Sequence, residues 1–313
     1  MTVALPPADE CTVAGRRMRC RISGDGPPVV LLHGIGRTLD DFTALHAALD
    51  RDHRVLAVDL PGHGGSAPLD GPHTLPALAG AVAGFLDAAG VTGPAHLVGN
   101  SLGGAVAMRL AADAPHRVAD LALLNSAGFG REVTVALRLL AVPPLARLLL
   151  RPHPAIARRT ERAIFVDPAH VTDERIATAL AVARQPHAAR VMRELVRDLG
   201  TWRGVRPRWR AELLDAVAAL ELPTLLVWGD RDLILPATHL AYARTRLPHA
   251  RAHLFRDTGH MPQIERTPEV ETLLRALWPT HPHPQRVDHE VSGDNSDPKR
   301  RQLHDQPLLS IGD

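Results

Sequence analysis

One tyrosine and one lysine, Tyr242 and Lys299, occur in this chain of 313 residues, and its aromatic content is 3%. So few aromatic rings give little on which nucleic-acid bases could stack. A formal net charge of +2 likewise gives no electrostatic reason to expect a nucleic-acid partner. Cysteine is limited to Cys11 and Cys20, too few for a disulfide scaffold. No run approaches ~20 uninterrupted apolar residues, so no membrane span is expected. Residues 1–10 carry neither the basic nor the apolar region of a secretory signal, and the expected location is cytoplasmic. The sequence carries no signal of oligomeric state.

What is abundant is apolar. The chain is 45% hydrophobic and long enough for one large core with an insertion. Apolar runs of strand length, as in strands buried on both faces, recur at Pro28–Leu32, Val55–Val58 and Leu225–Trp228, and further strands are expected at Ala95–Val98 and Val118–Leu124. A shorter run, Ala252–Phe255, follows, and two short strands are expected around Gly15. Helical spacing separates the runs: Leu45–Leu49 with Asp40 or Asp41 as a cap, Leu75–Ala89 ending at Gly90, and Ala237–Arg246. A last helix is expected with Thr267 as its cap, Pro268 at its first position and Glu269 as an early acid. Strands alternating with helices imply a mostly parallel, doubly wound α/β sheet.

The alternation stops between Arg131 and Leu220. That block is helical in its spacing, broken by seven prolines, and holds 16 Arg against nine Asp plus Glu. It reads as a cap of short helices over the strand ends, where open α/β sheets bind ligands. The expected organisation is an α/β core at 1–128, a helical cap at 129–221, the rest of the core at 222–279 and a disordered tail at 280–313. His281, His283 and His289 in the tail are interleaved with prolines, which makes a poor metal site, and no metal is expected.

Gly99-Asn100-Ser101-Leu102-Gly103-Gly104 sits between a strand and a helix and fits the G-x-S-x-G nucleophile elbow. The serine needs a strained turn to stand clear of the sheet, and glycines two residues either side avoid collisions. Two further polar residues also follow strands: Asp232 after Leu225–Trp228, and His260 after Ala252–Phe255. Eighteen histidines make any one of them weak evidence unless its position adds something. Loops at one edge of a parallel sheet converge, so these three can meet.

Taken together, several motifs resemble those of a capped α/β-hydrolase over roughly Thr12–Trp278. They are His33-Gly34-Ile35-Gly36, Asp59-Leu60-Pro61-Gly62-His63-Gly64 with Ser66 and an inserted Gly65, the elbow, Trp228-Gly229-Asp230-Arg231-Asp232 with Pro236, and Gly259-His260. The resemblance implies a triad in the order Ser101, Asp232, His260. Ser101 would be nucleophile, His260 general base and then acid, and Asp232 the carboxylate that orients the imidazole. The N–H groups of Leu102 and Ile35 would form the oxyanion hole. His33, Gly34, Asn100 and Met261 are expected at the substrate pocket, with His33 also bracing its loop. Asp230 is expected to form the turn. Asn125, where some relatives carry their acid, is neutral and is set aside.

A serine at the elbow argues against the dehalogenases and epoxide hydrolases that resemble the chain elsewhere but use aspartate. The implied activity is hydrolysis of small or medium apolar carboxylic esters through an acyl-enzyme, with no cofactor. One alternative is a carbon–carbon bond hydrolase of the meta-cleavage type, whose elbows are similar but which usually has Trp where Met261 stands. The other is a hydrolase-fold ligand-binding protein without turnover.

Overall fold

The structure is a computed structural model that describes residues 5–278; the expected tail at 280–313, with its three histidines, lies outside the described residues. β1 (Asp9–Val13) and β2 (Arg16–Ser23) form the hairpin around Gly15, whose φ of +76° suits glycine. Five elements follow: β3 (Pro28–Leu32), α1 (Thr43–Leu49), β4 (Arg54–Val58), α2 (Leu75–Ala88) and β5 (Ala95–Asn100). α3 (Leu102–Asp113) and β6 (Val118–Leu124) complete the first part.

The helical block then runs through α4 (Val135–Leu140), α5 (Pro143–Leu149), α6 (Pro154–Ile164), α7 (Asp173–Ala183) and α8 (Ala188–Leu199). A two-residue pair unforeseen in the sequence, β7 (Gly200–Thr201) with β8 (Gly204–Val205), precedes α9 (Pro207–Leu220). The sheet resumes with β9 (Thr224–Gly229), α10 (Thr238–Arg246) and β10 (Arg251–Phe255), and α11 (Pro262–Glu265) and α12 (Thr267–Leu277) follow.

Eight strands form one sheet in the order β1-β2-β4-β3-β5-β6-β9-β10, parallel from β4 to β10 and antiparallel at the β1–β2–β4 edge. Strand alternation divides the apolar side chains between the two faces. Val30 and Leu32 pack with Phe85 of α2, Val106 of α3 and Leu214 of α9. Val29 and Leu31 pack with Leu45 of α1 and Leu274 of α12. Burial on both faces explains why these strands read as unbroken apolar runs.

Two helix starts differ from the sequence reading. Asp40 and Asp41 lie in a short 3-10 turn, Leu39–Phe42, capped by Thr38, and no side chain caps α1. Asp41 instead pairs with Arg37 and Arg175, and Asp40 with Arg19 and Arg21. Thr267 is the first residue of α12, and its hydroxyl donates back to the Gln263 carbonyl, so it satisfies no N-terminal N–H. In both places long-range pairing or the preceding turn competes with local capping.

Within the segment 129–221, one helix joins the core of the sheet. α9 packs on α3 and buries Leu213, Leu214 and Val217 in the core of the sheet. The rest of the block is pinned to the body by polar contacts. Arg37 joins Glu161, Arg175 joins Asp41, Glu194 accepts from the His73 N–H, and Asp198 accepts from the Leu75 N–H at 3.0 Å.

Candidate active site

Ser101 has φ +55° and ψ −115°, a strained conformation for a residue with a side chain. The surrounding glycines are required by close approach. A Cβ on Gly99 would lie 2.4 Å from the Gly103 backbone, and one on Gly103 would lie 2.0 Å from the Leu32 carbonyl oxygen. The elbow therefore presses β5 and α3 against β3, and only glycine permits that spacing. The same turn leaves Leu102 as the first residue of α3, with its N–H free of an intrahelical partner.

At the ends of the next strands, Asp232 Oδ2 accepts from His260 Nδ1 at 2.7 Å. The other oxygen, Oδ1, accepts from the Ile234 and Leu235 N–H groups at 2.7 and 3.0 Å. Burial works against the charged carboxylate. The charge and hydrogen bond of His260, the Asn125 amide and the Leu235 N–H outweigh it and hold Asp232 below the usual carboxylate range. Asp232 therefore stays ionised at neutral pH behind the imidazole.

Asn125, set aside from sequence as a neutral residue, belongs to this arrangement. It sits at φ +44° just after β6, and its Nδ2 donates to Asp232 Oδ2 at 2.6 Å and to the Gly259 carbonyl at 3.2 Å. Its position at a strand end was the signal that could have found it. Asn100 has a matching role at the elbow, where its Nδ2 donates to the Leu124 carbonyl at 3.1 Å and to the His260 carbonyl at 3.0 Å. It ties the residue before Ser101 directly to the His260 backbone. Among the described residues Ser101 Oγ makes no hydrogen bond with the His260 ring; such bonds are often long until substrate is bound.

The family is read from this geometry together with similarity. Residues 27–267 match the family described as the alpha/beta hydrolase fold. The chain belongs to the α/β-hydrolase fold family. It is 33% identical over 278 residues to the dihydrolipoyllysine-residue acetyltransferase component of an acetoin cleaving system from Pseudomonas putida, which covers 88% of this chain and 70% of that protein. It is 28% identical over 259 residues to a 2-hydroxy-6-oxononadienedioate/2-hydroxy-6-oxononatrienedioate hydrolase from Pseudomonas sp., covering 80% and 88%. A solved membrane phospholipase A, described as a bacterial virulence factor, superposes with a TM-score of 0.72 at 27% identity over 88% of this chain and 86% of that one. Fold and relatives make this α/β-hydrolase a hydrolytic enzyme.

A cleft opens over the elbow of this hydrolase. Ser101, Leu102 and Ile35 line it together with Leu137, Arg138 and Trp209 from the helical block. Among the described residues the Ile35 and Leu102 N–H groups donate to no protein acceptor, which leaves two donors beside Ser101. Four residues expected at the substrate pocket do not line this cleft. His33 is fully buried and braces its loop, accepting from the Leu60 N–H at 2.9 Å and donating to the Gly34 carbonyl at 2.8 Å. Gly34 lies where an added Cβ would stand 3.3 Å from Ser101 Cβ, so it lets the loop approach the elbow. Asn100 faces inward as described, and Met261 packs with Ile164 and Phe165 in a small separate apolar cluster.

That cluster marks a contact the sequence did not reveal. The end of α6 docks on the histidine loop, with the His260 N–H donating to the Ile164 carbonyl at 2.8 Å. Glu265 accepts from the Gly259 N–H at 2.7 Å and from the Val166 N–H at 2.9 Å, bridging the two segments. Asp230, expected in the turn, accepts from the Thr258 N–H at 3.3 Å. Among the described residues no group of three or more His, Cys, Asp or Glu is placed to hold a metal ion.

Proposed function

We propose that this α/β-hydrolase cleaves carboxylic esters with small or medium apolar groups through an acyl-enzyme on Ser101. The observation that carries the reading is the buried His260–Asp232 pair, tied by Asn100 to the backbone of the elbow. In this reading His260 Nε2 takes the Ser101 proton as Oγ attacks the ester carbonyl carbon. The developing oxyanion accepts from the Ile35 and Leu102 N–H groups, and losing one such donor typically raises the barrier by ~3 kcal/mol. The alkoxide leaves with the proton held by His260. Water then gives a proton to the imidazole, attacks the acyl carbon and releases the acid, and Ser101 recovers its proton.

Helices α4–α8 act as a lid over this centre, spanning about 129–206, with α9 assigned to the body. The cleft is lined mainly by apolar side chains, which suits an apolar acyl or alkyl group. Its one charged lining residue, Arg138, already donates through Nε to the Trp202 carbonyl at 2.9 Å. The elbow sequence and the 28% identical relative keep carbon–carbon cleavage as the second reading.

Labelling by a fluorophosphonate probe, abolished in Ser101→Ala, tests the nucleophile. Rates on p-nitrophenyl esters of increasing chain length, measured beside a meta-cleavage dienoate, test the substrate. Turnover of the dienoate alone would replace the ester reading with the second one. Ligand-induced stabilisation with no turnover of either would point to a binding protein.

A further inference from the structure

Between Val133 and Leu150 only Thr134, Arg138 and Arg147 are not apolar, yet this segment buries almost nothing. No residue of α4 is buried, and Ala146 is the only buried residue of α5. Val135 is 62% exposed and Leu148 58%, and Leu139, Leu145 and Ile156 are also exposed. Val135 and Leu139 are spaced i, i+4 and so share one face of α4. Trp202 is 58% exposed and lies beside α4, because its carbonyl accepts from Arg138. Apolar helices left this bare need something to cover them.

The charge around them indicates what that is. Arg131, Arg147, Arg151, Arg159 and Arg162 are exposed, as is Arg158, which pairs with Asp173, whereas Glu132 is the only exposed carboxylate from 131 to 162. Glu161 is fully buried. An isologous pairing of two copies through this face would set these arginines against each other. An anionic phospholipid surface offers the opposite charge and an apolar interior together. The face is also continuous with the cleft, since Leu137 and Arg138 of α4 line the space above Ser101.

We propose that α4, α5 and the start of α6 form a peripheral docking surface for anionic phospholipid bilayers, with the exposed leucines and Trp202 entering the interface and the arginines meeting the headgroups. Among the described residues no helix is long and apolar enough to cross a membrane, so the association is superficial. It does not depend on the ester-hydrolase reading, because nothing in it requires turnover.

The test is co-sedimentation of the full chain with phosphatidylcholine vesicles, with and without phosphatidylglycerol, at low and high salt. Binding is expected only to the phosphatidylglycerol vesicles and is expected to weaken with salt. Neutralising three arginines, Arg147→Gln, Arg151→Gln and Arg159→Gln, should weaken it about a hundredfold. Leu139→Ser with Leu148→Ser should also weaken it, without loss of turnover on a water-soluble short-chain ester. Ser101→Ala should bind like the parent, which separates failure of this proposal from failure of the catalytic one. Three results would overturn the proposal: no vesicle binding, binding indifferent to these substitutions, or a dimer in solution that the leucine variants dissociate.

Discussion

Replacing Arg37 by methionine should be among the most damaging single changes outside the cleft. Its guanidinium is buried between Asp41, reached through Nε at 2.7 Å and Nη2 at 2.8 Å, and Glu161 of α6. Glu161 is fully buried, and among the described residues its side chain has no other partner. Asp41 keeps Arg175, whose Nη1 lies 3.1 Å away, so the stranded charge is mainly that of Glu161. Removing one partner of a buried ion pair costs about 3–5 kcal/mol, most of it the penalty on the charge left behind. Glu161→Met should cost less, because Arg37 retains Asp41. The double variant Arg37→Met with Glu161→Met should recover much of the loss, a coupling of about 2 kcal/mol or more. Urea unfolding at pH 7 measures all three, with hydrogen exchange across 154–166 to detect local release of α6. Because Ile164 accepts from the His260 N–H, the single variant should also lower kcat. A loss below about 1 kcal/mol in Arg37→Met, or a double variant no more stable than that single, would refute a buried charge held only by its partner.

Three other outcomes follow from the same structure. Burial pushes His33 down to about 4 and His63 to about 3 from the usual 6.5, so the unfolded chain takes up these protons first. Stability should then fall as pH drops below ~6.5, by up to about 2 kcal/mol per group at pH 5. The rings are 5.3 Å apart, so the two losses will not simply add, and an unfolding midpoint unchanged between pH 7 and 5 would contradict the account. Gly103→Ala would drive a methyl group into the Leu32 carbonyl oxygen, costing about 3 kcal/mol and displacing the start of α3 with the Leu102 N–H; retention of normal probe labelling and stability would count against it. Glu265→Gln sets an amide N–H against one of two backbone donors and should cost about 1–2 kcal/mol. If Glu265 positions the histidine loop, kcat falls while KM holds and the pH profile shifts; a change in stability alone would make its role merely structural.

Much of the site was legible in the chain because its signals are local. An apolar run, a glycine two residues from a serine, and a polar residue just past a strand all lie within a few positions of one another. The strands at Pro28–Leu32 and Val118–Leu124 have the bounds expected from the sequence. Ser101, Asp232 and His260 stood out because each follows a strand, and every parallel strand delivers its following loop to the same edge; their roles and order came from the resemblance.

What the chain alone did not reveal depends on partners far away in sequence. Asn125 and Asp232 are 107 residues apart, Arg37 and Glu161 are 124 apart, and Asn100 and the His260 carbonyl are 160 apart. No helical or strand periodicity links such pairs, so an asparagine at a strand end reads as an inert neutral residue until the fold brings a carboxylate to its amide. The same holds for α9, whose apolar stripe suits a lid or a body equally well until α3 lies against it. Local sequence sets where the chain turns and which face is apolar. Only tertiary packing selects which polar groups meet, because that selection requires burying them together.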